Sequence, residues 1–485
     1  MPSRATPSSP PPYPPGFLWG VATAAHQVEG GLCGPGQPRN NWAAFEDTGR
    51  AERTGLGCDF WHRWEDDLDL ARDLGINAFR MGLEWVRVEP APGVFDEAAL
   101  DRYAAIIAGA RRRGMEPVVT LQHFTHPEWL GPDPWLDEAV PARFGRHARE
   151  TALAIGKRLV DRQGQPPVRF WVTVNEPNSL CLATYYLHMF PRGLRHGGPR
   201  ALSRALCGIM RAHVHARRAL HDLAAAEGWP EPTVTYNAWA CASYAVDRYL
   251  VDLLRPETRG RTRELGREFR KAVGGLGVLG RIADFFLRRA VKPELFAPLV
   301  ADLGKDEDAL DALAFDYYDP FLGDYVGWRG MKREPWQWPT RPERLPRFAA
   351  AYLGGHAGKR LFVLENGIGT RPTAVRGRHR PDRLGRDRAL AEAIGAVDRC
   401  VAAGLPMAGY FHWSLIDNYE WGSFAPRFGL HGVDRGDGLA RLASDITGVD
   451  AASAYRALVR ERAPRVEALS TMEPAYSATS VRSAP

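Results

Sequence analysis

Eight short apolar runs in this 485-residue chain each break off on polar or aromatic residues, and stretches of helical character separate most of them. The runs are Phe17–Gly20, Ala78–Trp85, Glu116–Leu121, Phe170–Val174, Pro232–Trp239, Asp311–Tyr318, Arg360–Glu365 and Met407–Trp413. Strands that alternate with helices build a parallel sheet, and eight such units predict an α/β fold, a single (β/α)8 barrel of the TIM type with loop insertions. Barrels of this kind place their chemistry at the C-terminal strand ends, where the apolar runs surface. A length of 485 residues would otherwise suggest two or three domains, but a barrel with insertions reaches it as one unit. The expected organisation is a flexible Pro- and Ser-rich arm over 1–15, the barrel over 16–465 and a polar tail over 466–485. An Arg-rich amphipathic insertion at about 246–302 interrupts the barrel after the fifth strand.

The fourth run reads RFWVTVNEPNS. It stops at Asn175, Glu176 and Pro177, and because proline cannot donate to a sheet ladder, the Glu176 carboxyl is left at the strand tip among apolar neighbours. Burial there raises a carboxyl pKa, which is the setting of a general acid. The seventh run, LFVL, delivers a second carboxylate in the same way at Glu365, followed by Asn366 and Gly367. Arg80 lies inside the second run, and a buried arginine requires an acidic partner. The third run delivers Gln122, His123 and Phe124. Each of these strings alone is weak, since three-residue motifs recur by chance in on the order of one chain in ten. Their common place at strand ends makes them a constellation.

Composition narrows the functional classes. The net charge of +6 comes from 63 basic and 57 acidic residues spread along the chain, too slight an imbalance for a nucleic-acid binder. The 15 Trp, 15 Tyr and 20 Phe suit a sugar site, where apolar ring faces stack on aromatics. Six scattered cysteines show no metal-binding spacing and read as reduced. The start, MPSRATPSSPPPYPP, carries no apolar secretory region, and no transmembrane run of 18 apolar residues occurs, so a cytoplasmic location is expected.

The blocks FLWGVATAAHQVEG, FRMGLEWVRVEPAPGVFDE, LQHFTHPEW, TVNEP, LFVLENG, GYFHWSLIDNYEW and RFGLHGVD, in that order over roughly residues 16 to 460, resemble the retaining β-glycosidases of glycoside hydrolase family 1. The resemblance implies a β-glucosidase-type hydrolase acting on a small-molecule β-glycoside, with Glu176 as acid/base and Glu365 as nucleophile. It further implies that Arg80 and Tyr318 support the nucleophile and that Asn175 bonds the sugar 2-hydroxyl. Gln27, His123, Glu420 and Trp421 follow as hydroxyl partners, and Trp413 as the stacking floor. A glutamate at 420 points to an unphosphorylated glycone, most readily glucose. No cofactor or metal is expected.

One residue departs from the family pattern: Asp316 stands where a neutral amide is usual, and if ionised it would raise the catalytic pKa values. Glu176 itself is expected in less charged surroundings. Two alternatives use other outcomes of the same scaffold, transglycosylation to an acceptor alcohol and non-catalytic sugar binding; retention of both glutamates disfavours the second. The insertion holds Leu279, Ile282, Phe285, Phe286 and Leu287 beside Arg281, Arg288, Arg289 and Lys292. Its apolar side either packs on the barrel or walls a hydrophobic aglycone presented at an anionic surface.

Overall fold

The computed structural model describes residues 10–194, 197–274, 276–318, 333–373 and 379–463. Eight parallel strands close on themselves in sequence order: β1 Leu18–Ala22, β2 Ala78–Gly82, β3 Glu116–Gln122, β4 Phe170–Asn175, β5 Thr233–Trp239, β6 Leu313–Asp316, β7 Leu361–Asn366 and β8 Met407–Trp413, with β8 returning to β1. The expected (β/α)8 barrel is therefore the observed one. All eight strands lie within a residue or a few of the runs read from sequence. The run at 78–85 ends as a strand at Gly82 because Trp85–Val88 turns into a short helix. The sixth is the shortest: Asp311 stays outside it, accepting from Arg217, His221 and the Val234 N–H.

The barrel interior is filled by Ala22, Ala78, Val118, Phe170, Val172, Ala314, Phe362, Leu364 and Phe411, small and large residues alternating so that opposing strands interdigitate. Gly20 shows how tight this is: a Cβ there would stand 2.3 Å from the Phe411 ring. A second, larger core lies between the strands and the outer helices, among them Phe60–Asp73, Glu97–Arg112, Val140–Lys157, Pro199–Glu227, Leu345–Leu353 and Arg386–Ala402. Each apolar stripe at helical spacing turns inward onto the sheet, which is why the two periodicities could be read from the chain.

The insertion is helical where described, running through Tyr249–Leu253, Pro256–Arg259, Thr262–Val273, Gly277–Ala290 and Ala297–Asp302. A buried ionic knot ties its start to the barrel: Asp252 accepts from Arg248 Nε at 2.8 Å, Tyr244 Oη at 2.9 Å and His356 Nε2 at 2.8 Å. Residues 10–15 of the N-terminal arm are held against the barrel. Tyr13 packs on Phe17 and Trp19, and its hydroxyl donates to Asp398 at 2.7 Å, so one aromatic anchors an otherwise Pro-rich stretch. Residues 1–9 of that arm and the expected tail at 466–485 lie outside the described residues. All six cysteines are free thiols. No described helix is long and apolar enough to cross a membrane.

Candidate active site

The C-terminal ends of six neighbouring strands meet in one hydrogen-bonded circuit. Arg80 on β2 sits at its centre. Its Nη1 donates to Glu365 Oε1 at 2.6 Å, its Nη2 to Asn175 Oδ1 at 2.6 Å, and its Nε to Thr120 Oγ1 at 3.2 Å. The acidic partner that a buried arginine demanded is thus Glu365, three strands away in the closed order. Asn237 on β5 donates to Asn175 Oδ1 at 2.7 Å and also to Asp316 Oδ2. Tyr318 Oη donates to Glu365 Oε2 at 2.9 Å, so both oxygens of that carboxylate are held.

Local backbone geometry aims the two glutamates. Glu176 has φ 39° and ψ 59°, a left-handed conformation disfavoured for a residue with a side chain, and the next residue, Pro177, opens a helix. Its N–H is pinned to Asn237 O at 2.9 Å. Register shifts on both sides of β7 bring Glu365 level with Asp316 of β6, the local re-aiming that bulges produce beside functional sites. Oxygens of Glu176, Asp316 and Glu365 consequently lie within 4.8 Å of one another, all three side chains buried. These are the one carboxyl set among the described residues close enough to share a divalent ion, but the Arg80 guanidinium already supplies the positive charge against Glu365.

Burial pushes the Glu176 pKa up to about 8, and the nearby charge of Glu365 adds to the rise; hydrogen bonds from Asp316 and Ser179 oppose it. Glu176 is therefore not in less charged surroundings, as expected from sequence, but in a cluster of three carboxyls. It stays protonated because water is excluded and a like charge is close. Glu365 is also raised overall by burial; the charge and hydrogen bond of Arg80, then the Tyr318 hydroxyl, oppose the rise. Asp316 is held well above the usual carboxylate range by burial, then by the charges of Glu365 and Glu176. Both causes push Asp316 toward its neutral form and away from acting as an ionised third charge.

A cavity of about 200 Å³ opens above this circuit. Polar and aromatic groups line it, among them His123, Asn175, Glu176, Tyr318, Glu365, Trp413, Glu420 and Trp421, together with an apolar wall of Phe124, Leu182, Leu187, Met189, Phe190, Trp239, Pro335 and Trp338. Trp413 Nε1 donates to Glu420 Oε1 at 2.9 Å. Burial lifts Glu420 to about 8 as well. Trp421, at φ 43°, stacks its ring near-parallel to His123 and His26, with planes 14° and 19° apart. His123 is neutral because burial and the Arg80 charge hold its pKa well below the usual value. Its Nε2 lies 3.2 Å from Asn175 Nδ2 and must accept, which puts the proton on Nδ1, an atom with no partner among the described residues.

All the residues singled out in the sequence converge here except Gln27, which does not line the cavity. It is buried behind it, Nε2 donating to Asn418 Oδ1 and Tyr419 O, with Oε1 unpartnered among the described residues. Arg80 lies beneath the floor. The residues that sequence reasoning missed are Asn237, whose strand end was read without a role, and the apolar wall. Phe190 and Trp338 come from irregular segments with no periodic signal. No described residue of the insertion lines the cavity.

A family model described as Glycosyl hydrolase family 1 matches residues 9–246 and 328–448. A bifunctional β-D-glucosidase/β-D-fucosidase of Bifidobacterium breve is 30% identical over 474 residues, covering 87% of this chain and 94% of that protein. β-Glucosidase A of Thermotoga maritima is 25% identical, covering 87% and 93%. The solved β-glucosidase from Thermotoga maritima in complex with noeuromycin superposes with a TM-score of 0.71 at 22% identity, covering 93% of this chain and 99% of that one, which is a likeness of fold.

Proposed function

The chain belongs to glycosyl hydrolase family 1 and is a β-glycosidase that hydrolyses β-glucosides; from that premise we propose a retaining double displacement with Glu365 as nucleophile and Glu176 as acid/base. The observation that carries this is the carboxyl spacing. Retaining enzymes hold the two groups about 5 to 5.5 Å apart and inverting ones about 6.5 to 9.5 Å apart, to leave room for water. Glu176 and Glu365 oxygens within 4.8 Å of one another support the first.

In the first step a Glu365 oxygen bonds to the anomeric carbon as the bond to the aglycone oxygen breaks, and Glu176 gives its proton to that oxygen. Arg80 and Tyr318 orient Glu365 and keep it ionised. In the second step Glu176, now a carboxylate, takes a proton from water, whose oxygen attacks the anomeric carbon and frees Glu365. Asp316 donates a hydrogen bond to the Glu176 carboxylate in the interval. Asn175, held through its oxygen by Arg80 and Asn237, presents its amide toward the 2-hydroxyl, where a bond strengthens as charge develops on the sugar. His123 Nδ1 and Glu420 serve other sugar hydroxyls, with Trp413 and Trp421 beneath and beside the ring; Gln27 Oε1 stands behind them. Glucose is the proposed glycone. The apolar wall suits an aryl or alkyl aglycone.

Incubation with an activated 2-deoxy-2-fluoro-β-glucoside should stall the second step and leave the sugar on Glu365, read by peptide mass mapping, while natural turnover releases the β-anomer first by NMR. A label on another residue, or α-anomer first, refutes the assignment.

A further inference from the structure

Five of the ten large apolar side chains that stand exposed among the described residues lie on one helix, Gly277–Ala290 of the insertion: Val278, Leu279, Ile282, Phe285 and Phe286. Phe286 is 55% exposed and Val278 65%. Helical spacing gathers them into one outward stripe, while Gly280, Asp284, Leu287 and Ala290 face inward and are buried. Of the apolar side read from sequence only Leu287 packs inward; Leu279, Ile282, Phe285 and Phe286 stand exposed, and none of them walls the cavity. Scattered exposed apolar residues need no explanation, but a contiguous stripe marks an interaction surface.

The helix sits at the catalytic end of the barrel. Asp284 accepts from Ser243 Oγ at 2.8 Å, four residues beyond Trp239, which ends β5 and lines the cavity. At its other end Ala290 O accepts from Ser203 Oγ at 3.1 Å, near the start of the helix that follows β4. The helix therefore lies at the end of the barrel that carries the mouth, with its stripe turned outward.

Charge selects the partner. Residues 246–302 hold 12 basic and 8 acidic side chains, a net of +4 out of the +6 of the whole chain. Between 277 and 293 the one acidic residue, Asp284, is buried and ion-paired with Arg288 at 3.0 Å. By helical spacing Arg281 and Arg289 lie along the stripe, Arg289 4.6 Å above the Phe285 ring, and Lys292 follows just beyond the helix end. Packing two copies through this face would set those cations against their like. An apolar stripe edged by Lys and Arg fits instead the boundary of an anionic bilayer, where rings enter the headgroup layer and cations meet lipid anions.

We propose that the helix Gly277–Ala290 docks this enzyme on anionic phospholipid surfaces and so delivers the active-site mouth to β-glycosides whose aglycones are dissolved in the membrane. The substrate half rests on the function proposed above; the docking half does not. The two separate in one set of measurements on the full chain. In flotation with phosphatidylcholine vesicles, with and without phosphatidylserine, the wild type should partition at least about tenfold better onto the anionic ones, less so as salt rises. Phe285→Ser with Phe286→Ser, and separately Arg281→Ser with Arg289→Ser, should each weaken that partition about tenfold. Melting temperature and turnover of a soluble nitrophenyl β-glucoside should not change. Turnover of a long-alkyl β-glucoside embedded in the anionic vesicles should fall with the partition. Absence of vesicle binding, equal binding by the variants, or a dimer that the Phe→Ser pair dissociates would each overturn docking. If binding holds and Glu365 is not labelled by the fluoroglucoside, the catalytic reading alone falls.

Discussion

Replacing Asp316 by Asn separates two accounts of the carboxyl cluster by the sign of one pH shift. If Asp316 carried a charge in the working enzyme, its removal would lower the pKa of Glu176 and move the basic limb of kcat/KM to lower pH. The structure argues the reverse. Ionising Glu176 and Asp316 together, with oxygens no more than 4.8 Å apart, would cost at least about 332/(20 × 4.8), or ~3.5 kcal/mol, an equilibrium factor of about 400 or more. The pair therefore gives up its protons in two separated steps. After the first is lost Asp316 keeps its own and donates to the Glu176 carboxylate, which lowers the Glu176 pKa. In Asp316→Asn the amide oxygen still accepts from Asn237 and the amide nitrogen still donates to Glu176, but an amide is the weaker donor toward a carboxylate. A loss of ~1 kcal/mol from that bond moves the basic limb upward by about half to one pH unit. The assay is kcat/KM for nitrophenyl β-glucoside from acid to alkaline pH, with Asp316→Leu as a control that removes the donor and should shift the limb further. A downward or unchanged limb in Asp316→Asn would falsify the neutral-donor account.

Tyr318→Phe removes one of the two groups that counter burial at Glu365, so the acid limb of kcat/KM should rise, by about one unit for a charge-assisted bond of ~1.5 kcal/mol; an acid limb that does not move would show that Arg80 alone sets this pKa. Glu176→Gln should be inactive on unactivated glycosides yet more stable than the wild type, because the folded-state pKa of Glu176 lies above its unfolded value. The stability Glu176 contributes when protonated is lost as pH rises from about 4.5 toward about 8, so the advantage of the amide should grow over that window to a few kcal/mol and then level off. Denaturant unfolding at pH 5, 7 and 9 checks it, and equal stability at all three would refute the buried-charge argument.

Both catalytic candidates were legible in the chain because the barrel imposes a local grammar: a buried parallel strand is a short apolar run, and a polar pair followed by proline at Glu176, or by glycine at Glu365, marks where it surfaces. Glu176, Glu365 and Arg80 needed no tertiary information to be singled out, nor did the eightfold alternation that closes the barrel. The pairing of Arg80 with Glu365 did need it, since residues 285 apart in sequence meet only after closure brings β2 and β7 into one circuit. Periodicity found the amphipathic helix at 277–290 but could not say which way it faces; that was decided by the inward face, where Asp284 accepts from Ser243 and Leu287 is buried. The protonation of Asp316 was equally out of reach. A carboxyl in a sequence has no pKa until burial and the distances to Glu176 and Glu365 are fixed, and those distances are set by register shifts in β7 that no local pattern announces.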